Sequence, residues 1–306
     1  MTGETLQNVA IVGAGVQGSM LAFRCALHGK QVALVDVDRQ VLERAGGKIA
    51  GWLEERVSRG ELSRTEAEAV RARIVAHDAL TEALADADIV IENVPEQLEL
   101  KQTVWAQIDA LAPEKTLLTT NSSSLRSSEI GAGVGRKDKT FNLNFMTPTE
   151  DDMVEVMWND RTSAATREAA LAFLESIRNI AIVTRREIKG FSLNRVWRAV
   201  KKECLRLWAE GYIDPHDLDR AFMLEWRTGY GPFGLMDKVG LDVVRDIELS
   251  YYRESGDESD LPPRALEEMV ERGDLGEKSG RGFYEYPDPA YLRPGWLRGE
   301  GREEEA

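Results

Sequence analysis

The sequence predicts an α/β domain with a doubly wound, mainly parallel sheet, followed by an all-α C-terminal domain. Two apolar runs, NVAIV and QVALV, flank a glycine-rich turn and a helix-length segment within the first forty residues. Similar apolar runs alternate with helical patterns up to about residue 187, and long amphipathic helical patterns follow. Because strands that alternate with helices favour parallel pairing, these observations indicate a parallel sheet and a separate helical part.

The predicted domain boundaries follow from this change of pattern. We expect a sheet domain over residues 1–187, a helical domain over residues 188–295 and a disordered, charge-rich tail over residues 296–306. Within the sheet domain, residues 39–73 alternate apolar and charged positions at helical spacing and break at SRGELS. That pattern predicts a helical hairpin beside the sheet.

Composition excludes several classes of protein. A chain of 306 residues with 42% hydrophobic and 30% charged residues is typical of a globular protein, not of a collagen-like, coiled-coil or mostly disordered one. The formal net charge of −14 repels phosphate at a distance, so neither a nucleic acid nor an anionic membrane is an expected partner. An anionic substrate therefore needs a local basic patch.

Targeting and metal signals are absent from the sequence. The start, MTGETLQN, has no basic segment followed by an apolar one, and no apolar run is long enough to span a membrane, so we expect a cytoplasmic protein. Cys25 and Cys204 lie far apart, and His28, His77 and His216 are scattered. Neither a disulfide framework nor a metal site is expected.

A G-x-G-x-x-G spacing directly follows the first predicted strand and opens a helix predicted over about residues 17–29. Gly13 permits a tight turn, Gly15 leaves room for a pyrophosphate against the backbone, and Gly18 lets the helix pack closely on the strand. Val16 and Gln17 complete the turn, where N–H groups of the helix face the phosphates. A glycine-rich turn can also be purely structural, so the motif needs its context.

Asp36 supplies that context, because it closes the second predicted strand 18 residues after Gly18. A carboxylate there accepts hydrogen bonds from the two hydroxyls of an adenosine ribose. The same charge repels a 2′-phosphate, so the motif favours NAD over NADP. The glycines and Asp36 together predict a Rossmann-type, NAD-binding domain; the alternative for Asp36 is an ordinary solvated aspartate at a strand end.

Seven segments, in order along almost the whole chain, resemble the L-3-hydroxyacyl-CoA dehydrogenase family. They are GAGVQG, VDVD, IENVPEQLELK, TTNSSSL, GFSLNR, GPFGLMDKVGLD and LGEKSGRGFYEY. The resemblance implies an NAD-dependent oxidoreductase with a dinucleotide-binding domain and a helical domain that forms a homodimer. Related enzymes with the same plan act on free hydroxy acids.

The resemblance also implies roles for single residues. It places Glu92, Glu96 and Lys101 on the nicotinamide-ribose side of the cofactor, although strand-end carboxylates and helix-surface charges give the same pattern. It places Asn121 and Ser122 at a strand end, with Ser122 bonded to the substrate oxygen. A serine run after a strand is also an ordinary helix cap.

The helical domain contributes one more residue by resemblance, and one strand end departs from the family. Asn194 in GFSLNR matches the family asparagine that holds the substrate oxygen and supports the catalytic base.

The family carries that base, a histidine, in H-F-x-N-P at a strand end, where this chain has NFMTP beginning at Asn144. The glutamate that orients the histidine is retained as Glu155, although the intervening TEDD loop is one residue shorter. An amide cannot accept a proton at neutral pH, so the usual relay cannot operate.

Three interpretations of this departure stay open. Another residue supplies the base, with Glu155 or a lysine as candidates; the reaction needs less help from a base; or the protein keeps the scaffold without hydride transfer. None of the three histidines lies where a substitute is needed, and surface or capping positions account for them.

Helical periodicity adds two cations to the same region. At 100° per residue, Arg198 lies about 40° and Lys201 about 20° from Asn194 around the helix, so the three share one face. If this face meets the substrate, Arg198 binds a carboxylate through a bidentate contact, and a partly desolvated Lys201 with a lowered pKa acts as the base. The alternative is a basic stripe that reaches water or pairs with the chain's own acids.

The sequence-based hypothesis is an NAD-dependent oxidoreductase that transfers hydride between a secondary alcohol and nicotinamide. Its small-molecule substrate is a 3-hydroxy acid or a 3-hydroxyacyl-CoA, and Arg198 and Lys201 favour a small acid. The predicted catalytic residues are Ser122, Asn144, Glu155, Asn194 and Lys201. The alternative is a non-catalytic NAD-binding protein on the same fold.

Overall fold

The structure is a computed structural model that describes residues 6–146 and 153–300. The chain divides into two compact units, residues 1–193 and residues 194–306. The division lies a few residues after the predicted boundary at 188. The difference arises because the first residues of the helix that begins at Ser192 bond to a carboxylate of the first unit.

The described part of the first unit contains one sheet of eight strands. They are β1 (Asn8–Val12), β2 (Gln31–Val35), β3 (Ile74–His77), β4 (Ile89–Glu92), β5 (Leu117–Thr120), β6 (Thr140–Phe145), β7 (Met153–Trp158) and β8 (Ile180–Thr184). Their order is β3-β2-β1-β4-β5-β6-β7-β8. Strands β1 to β6 run parallel, whereas β7 is antiparallel to β6, and β8 is parallel to β7. The prediction of a mainly parallel, doubly wound sheet is confirmed.

The order of the strands reverses between β1 and β4. The chain moves outward from β1 to β3 on one side and from β4 to β8 on the other. A crevice therefore opens outside the carboxyl ends of these two strands, which is where open α/β sheets bind their ligands. Ile11 of β1 and Ile89, Val90 and Ile91 of β4 are completely buried, as expected for central strands that helices cover on both faces.

Helices connect the strands of the first unit. They are α1 (Val16–Leu27), α2 (Arg39–Ser58), α3 (Arg64–Ala72), α4 (Leu80–Leu84), α5 (Leu98–Leu111), α6 (Ser127–Ile130) and α7 (Ala164–Ser176). The predicted helical hairpin corresponds to α2 and α3. Ser63 ends the break between them with a capping box, in which its side chain accepts from the N–H of Glu66 and the Glu66 carboxylate accepts from the N–H of Ser63.

The second unit is helical in its described part. Its helices are α8, which begins in the first unit (Ser192–Ala209), α9 (Pro215–Trp226), α10 (Pro232–Val239), α11 (Leu241–Ser255) and α12 (Arg264–Glu271). Asp214 begins α9, because its carboxylate accepts from the N–H groups of His216 and Asp217. The run GFYEY, which has a strand-like pattern, forms only isolated bridges. No helix in the described ranges is long and apolar enough to cross a membrane.

The predicted disordered tail is wrong over its first residues. Residues Trp296–Arg298 form a 3-10 turn, and Trp296 is buried in the apolar core of the second unit. The main chain of Trp296 also accepts a hydrogen bond from the side chain of Arg220. The burial of one aromatic side chain in an apolar core is sufficient to order this segment, although the residues around it are polar. Residues 301–306 lie outside the described part of the chain.

Two buried carboxylates organise the second unit. Asp219 accepts from the N–H groups of Phe233 and Gly234. Asp237 accepts from the N–H groups of Phe283 and Tyr284. Burial raises the pKa of Asp237 to about 6, although its hydrogen-bond donors act to lower it. These contacts tie α9 and α10 to the segment that follows α12.

We expect the stability contribution of Asp237 to depend on pH. Its folded-state pKa of about 6 exceeds the ordinary value of an unfolded aspartate, about 3.9. The folded chain therefore binds this proton more tightly, so the contribution is greatest below about pH 4 and is lost as the pH rises through about 6. Urea unfolding of the protein and of Asp237→Asn across this range measures it. A difference in unfolding free energy that stays constant with pH would contradict the expectation.

Candidate nicotinamide cofactor and reaction site

The three motif glycines are required for two different reasons. A Cβ on Gly13, whose φ is +103°, would lie 2.7 Å from the main-chain oxygen of Asn93, and a Cβ on Gly18 would lie 1.8 Å from that of Gly13. Both positions are therefore fixed by close backbone packing. A Cβ on Gly15 would meet no atom within 4 Å, so the space beside Gly15 is open.

The first turn of α1 offers N–H groups beside that space. Gly15 precedes the helix, and no side chain within residues 6–146 and 153–300 caps the N–H groups of Val16, Gln17 and Gly18. The side chain of Gln17 donates to the main-chain oxygen of Met146 instead, over 3.2 Å. Open space and uncapped donors fit the pyrophosphate of a dinucleotide.

Asp36 lies just beyond β2 and holds the glycine turn. Its Oδ2 accepts from the N–H of Ala14 over 2.9 Å, and its Oδ1 accepts from the N–H of Asp38 over 3.0 Å. Each oxygen keeps a second lone pair, and the residue is half-buried. The carboxylate can therefore fix the turn and still accept from ribose hydroxyls, which remains a prediction.

Glu92 and Lys101 form a buried ion pair at the carboxyl end of β4. Lys101 Nζ lies 2.7 Å from Glu92 Oε1, and both side chains are completely buried. Glu92 Oε2 accepts from the hydroxyl of Thr120, and the main-chain oxygen of Val94 accepts from Lys101. Lys101 is thus not a helix-surface charge, and the pair joins β4, β5 and α5.

Glu96 connects this pair to the serines after β5. Ser122 Oγ donates to Glu96 Oε1 over 2.5 Å, and Ser124 Oγ donates to the same oxygen over 2.6 Å. Burial raises the pKa of Glu96, but the two serines and the charge of Lys101 outweigh it and leave the pKa below its usual value. Ser122 Oγ also accepts from the N–H of Leu125, which is the capping role considered for this serine run.

Asn121 joins the ends of three strands. Its side-chain nitrogen donates to the side-chain oxygen of Asn93 over 2.7 Å, and its side-chain oxygen accepts from the N–H of Phe145 over 3.0 Å. The polar residues at the ends of β4, β5 and β6 therefore form one connected group at the carboxyl edge of the sheet.

Asn144 and Glu155 are directly opposite in the antiparallel pair of β6 and β7. Asn144 Nδ2 donates to Glu155 Oε2 over 3.3 Å, and it also lies 3.5 Å from Met146 Sδ. The exposed fraction is 4% for Asn144 and 0% for Glu155. The TEDD loop that follows lies outside the described residues.

Glu155 also binds the start of α8. Its Oε1 accepts from Ser192 Oγ over 2.6 Å and from the N–H groups of Ser192 and Leu193 over 3.2 and 3.0 Å. Sequence reasoning missed Ser192. The signal was available, because serine directly before a helical pattern is a typical capping residue.

Asn194, Arg198 and Lys201, the predicted site residues of α8, lie in the second unit. Arg198 and Lys201 form ion pairs with acids of that unit. Arg198 lies 3.0 Å from Glu248 and 2.8 Å from Asp260. Lys201 Nζ lies 2.8 Å from Glu248 Oε1, and burial lowers its pKa while Glu248 raises it. The lowered pKa is as predicted. The partners are those of the alternative interpretation, pairing with the chain's own acids.

The glycine turn, Asp36 and the polar strand ends at the switch point define the first unit as a Rossmann-type dinucleotide-binding domain. Residues 8–188 match the family model of the 3-hydroxyacyl-CoA dehydrogenase NAD binding domain, and residues 190–286 match that of the 3-hydroxyacyl-CoA dehydrogenase C-terminal domain. The chain belongs to the 3-hydroxyacyl-CoA dehydrogenase family and is an NAD-dependent oxidoreductase. The family predicted from the seven segments is confirmed.

Individual relatives are similar along almost the whole chain. The chain is 31% identical to a probable 3-hydroxybutyryl-CoA dehydrogenase of Bacillus subtilis, over 92% of this chain and 98% of that protein. It is 29% identical to a 5-formyl-3-hydroxy-2-methylpyridine 4-carboxylate 5-dehydrogenase of Mesorhizobium japonicum, over 92% of this chain and 91% of that protein. The crystal structure of (S)-3-hydroxybutyryl-CoA dehydrogenase from Ralstonia eutropha matches with a TM-score of 0.85 at 29% identity, covering 93% of this chain and all of that chain.

We expect NAD to bind more tightly than NADP, and Asp36→Asn to narrow the difference. The amide removes the charge that repels a 2′-phosphate while its oxygen can still accept from Ala14. A repulsion of about 1 kcal/mol corresponds to several-fold in affinity. Fluorescence titration with NADH and NADPH measures both constants.

Asp38→Asn is the matched control for this titration, because Asp38 is exposed and its side chain caps α2 through Gln40. Asp38→Asn also removes one negative charge near the cofactor site, and it should leave the preference for NAD over NADP unchanged. Tighter binding of NADPH to the unaltered protein would overturn the role of Asp36.

Proposed function

We propose that this protein oxidises or forms the secondary alcohol of a 3-hydroxyacyl compound with NAD, and that Asn144 stands where the family carries its histidine. The observation that carries the proposal is the contact of Asn144 Nδ2 with Glu155 Oε2, across directly opposite positions of β6 and β7. This is the pairing that the family's histidine and glutamate would make. Ser122 and Asn121 line the neighbouring strand end.

The contact with Glu155 fixes the orientation of the Asn144 amide. An ionised carboxylate can only accept hydrogen bonds, so the amide nitrogen faces Glu155 and the amide oxygen points elsewhere. Within residues 6–146 and 153–300, no donor contacts Asn144 Oδ1. This oxygen can accept a hydrogen bond from a substrate hydroxyl, but it cannot remove the proton.

Glu155 is a positioning residue in this proposal and not the base. It is completely buried, and its two oxygens accept from Asn144, Ser192 and Leu193. A substrate hydroxyl has no surface of Glu155 to contact. The carboxylate instead holds the amide of Asn144 in place and begins α8.

Lys201 is also a poor base in this arrangement. Its exposed fraction is 2%, and its ammonium group lies against Glu248. The proton of the alcohol then passes to water that reaches the carboxyl edge of the sheet. This proposal follows the interpretation in which the reaction receives less help from a side chain.

The substrate class is a 3-hydroxyacyl compound, either as the free acid or as a CoA thioester. The preference for a small acid depended on Arg198 as a carboxylate-binding residue, and the carboxylates that Arg198 contacts belong to Glu248 and Asp260. That preference is therefore no longer supported. The relatives compared above are named for a CoA thioester and for a free pyridine carboxylate, so both classes belong in the substrate panel.

We expect Asn144→His to raise kcat on a 3-hydroxyacyl-CoA by about 10²- to 10⁴-fold, the contribution of a well-placed general base. An imidazole opposite Glu155 could both accept the proton and donate to the carboxylate. The absorbance of NADH measures turnover on a panel of 3-hydroxy acids and 3-hydroxyacyl-CoAs. Titration with NADH verifies that cofactor binding is unchanged.

Asn144→Ala is the matched control, since it removes both polar atoms without adding a base. Asn144→Ala should lower turnover below that of the unaltered protein. Normal turnover by Asn144→Ala, or no gain in Asn144→His with NADH bound, would contradict the role of Asn144. NAD binding by the unaltered protein without turnover of any member of the panel would favour a non-catalytic NAD-binding protein.

We also propose that the protein is a homodimer through the second unit. Val243 and Ile247 lie one turn apart on α11 with exposed fractions of 41% and 36%, and Val196 of α8 is 63% exposed. Exposed apolar side chains at helical spacing support a buried contact with a second copy. Cytoplasmic localisation stays a prediction from the sequence.

Light scattering at micromolar concentration should give about twice the chain mass of 34.2 kDa. Ile247→Lys should shift this mass towards that of the single chain, because a charged side chain resists burial at an interface. A protein of 34.2 kDa in solution before any substitution would exclude the dimer.

A further inference from the structure

We propose that the first unit carries a second anion site, a cleft that binds the phosphate group of a small molecule. The cleft lies at the sheet edge opposite Asp36 and Asn144. Thr140 begins β6, whereas Asn159 and Arg186 follow β7 and β8, which run in the opposite direction. All three therefore meet at the edge where the parallel strands begin, away from the cofactor edge.

Basic side chains gather in this cleft from four separate segments of the chain. The cleft has a volume of about 530 Å³. Its cationic lining residues, which we call the basic cleft residues, are Arg126, Lys137, Arg161 and Arg186. Only two acids, Asp160 and Glu187, line the same cleft. In a chain with a net charge of −14, this is the local basic patch that an anionic ligand needs.

Three of the four basic cleft residues form no ion pair with a described acid. Arg126 pairs with Glu129 over 2.5 Å. In the described parts of the chain, no carboxylate lies within 4.0 Å of the side-chain nitrogens of Lys137, Arg161 or Arg186. Cations held in one concave surface repel each other, and a bound anion relieves this repulsion.

A network of hydrogen bonds holds the walls of the cleft in place. Asn159 Nδ2 donates to Ser127 Oγ over 3.1 Å and to Thr140 Oγ1 over 2.9 Å, and its Oδ1 accepts from the N–H of Arg161 over 2.8 Å. Glu187 Oε1 accepts from Ser127 Oγ over 2.9 Å. Because α6, β6, β7 and the segment after β8 are already joined, a ligand does not have to order them.

The lining chemistry points to a phosphate ester. Arginine binds phosphate through paired N–H groups, and lysine adds a compact charge. The volume is in the range of small-molecule sites, about 300–1,000 Å³, and exceeds what a simple inorganic ion fills. Two sources share this chemistry: the nucleotide part of a CoA substrate, which depends on the proposed function, and a separate phosphate-bearing metabolite.

Calorimetric titration with inorganic pyrophosphate, at low ionic strength and with NAD present in saturating amount, tests the cleft. Saturation with NAD keeps pyrophosphate from the glycine turn. We expect binding to the protein, and at least about ten-fold weaker binding to the double variant Arg161→Gln/Arg186→Gln. Both arginines are exposed, so their substitution should leave the fold intact.

The matched control is Arg253→Gln/Arg298→Gln, which removes two exposed arginines of the second unit and the same charge. Its affinity for pyrophosphate should stay within about two-fold of that of the unaltered protein. No binding to the unaltered protein, or equal weakening in both double variants, would overturn the cleft.

CoA as a second probe distinguishes the two sources. If Arg161→Gln/Arg186→Gln weakens the binding of CoA and raises the KM for a 3-hydroxyacyl-CoA, together with its effect on pyrophosphate, the cleft binds the nucleotide part of the substrate. If only pyrophosphate affinity changes, the ligand is a separate phosphate-bearing molecule. Because the first readout is binding, a lack of turnover would count against the proposed function and not against the cleft.

Discussion

The buried carboxylate of Glu155 is the group on which the geometry of the proposed reaction site depends. An ionised carboxylate without contact with water is stable only when donors surround it, and here the donors come from β6 and from the first residues of α8. The antiparallel register places Asn144 opposite Glu155, and the capping of α8 brings Ser192 to the same carboxylate. One charge therefore fixes the amide orientation at the strand end and the start of the next helix.

The same rule applies at the end of β4, three strands away from β7 in the sheet. Glu92 and Lys101 neutralise each other without exposure to water, and Glu96 extends the network to Ser122. Burying two charges costs free energy that only close pairing and further hydrogen bonds offset, so these residues lose their freedom to move. The result is a rigid group of polar strand ends at the switch point, which is the kind of surface that orients a cofactor and a substrate.

Local spacing in the sequence was sufficient to predict much of this. The positions of Gly13, Gly15 and Gly18 depend on a turn of a few residues, and the structure gives each of them a steric or spatial reason. Asp36 shows where such reasoning is incomplete. Its carboxylate lies at the predicted strand end, but it also holds the N–H of Ala14, which no spacing rule indicates.

Contacts between distant segments were beyond prediction. Periodicity correctly placed Arg198 and Lys201 on one helix, but it could not find Glu248 and Asp260, because these acids lie on elements with no fixed sequence distance from α8. For the same reason the basic cleft residues were not recognised, since four segments contribute one cation each. The prediction of a disordered tail was wrong for a different reason. It was based on the average composition of residues 296–306, whereas the burial of the single residue Trp296 determines the structure at the start of this segment.

The central claim is that Asn144 is a fixed hydrogen-bond acceptor at a reaction site without a side-chain base. The most direct measurement is the pH dependence of kcat/KM for alcohol oxidation by the unaltered protein. If the alcohol loses its proton to water in an equilibrium before hydride transfer, the fraction of reactive alkoxide increases with pH. The value of kcat/KM should then rise steadily across the range in which histidine titrates, about pH 5.5–7.5, without a plateau. A plateau above an apparent pKa near 6.5 would show that an ionising side chain accepts the proton, and would contradict the account.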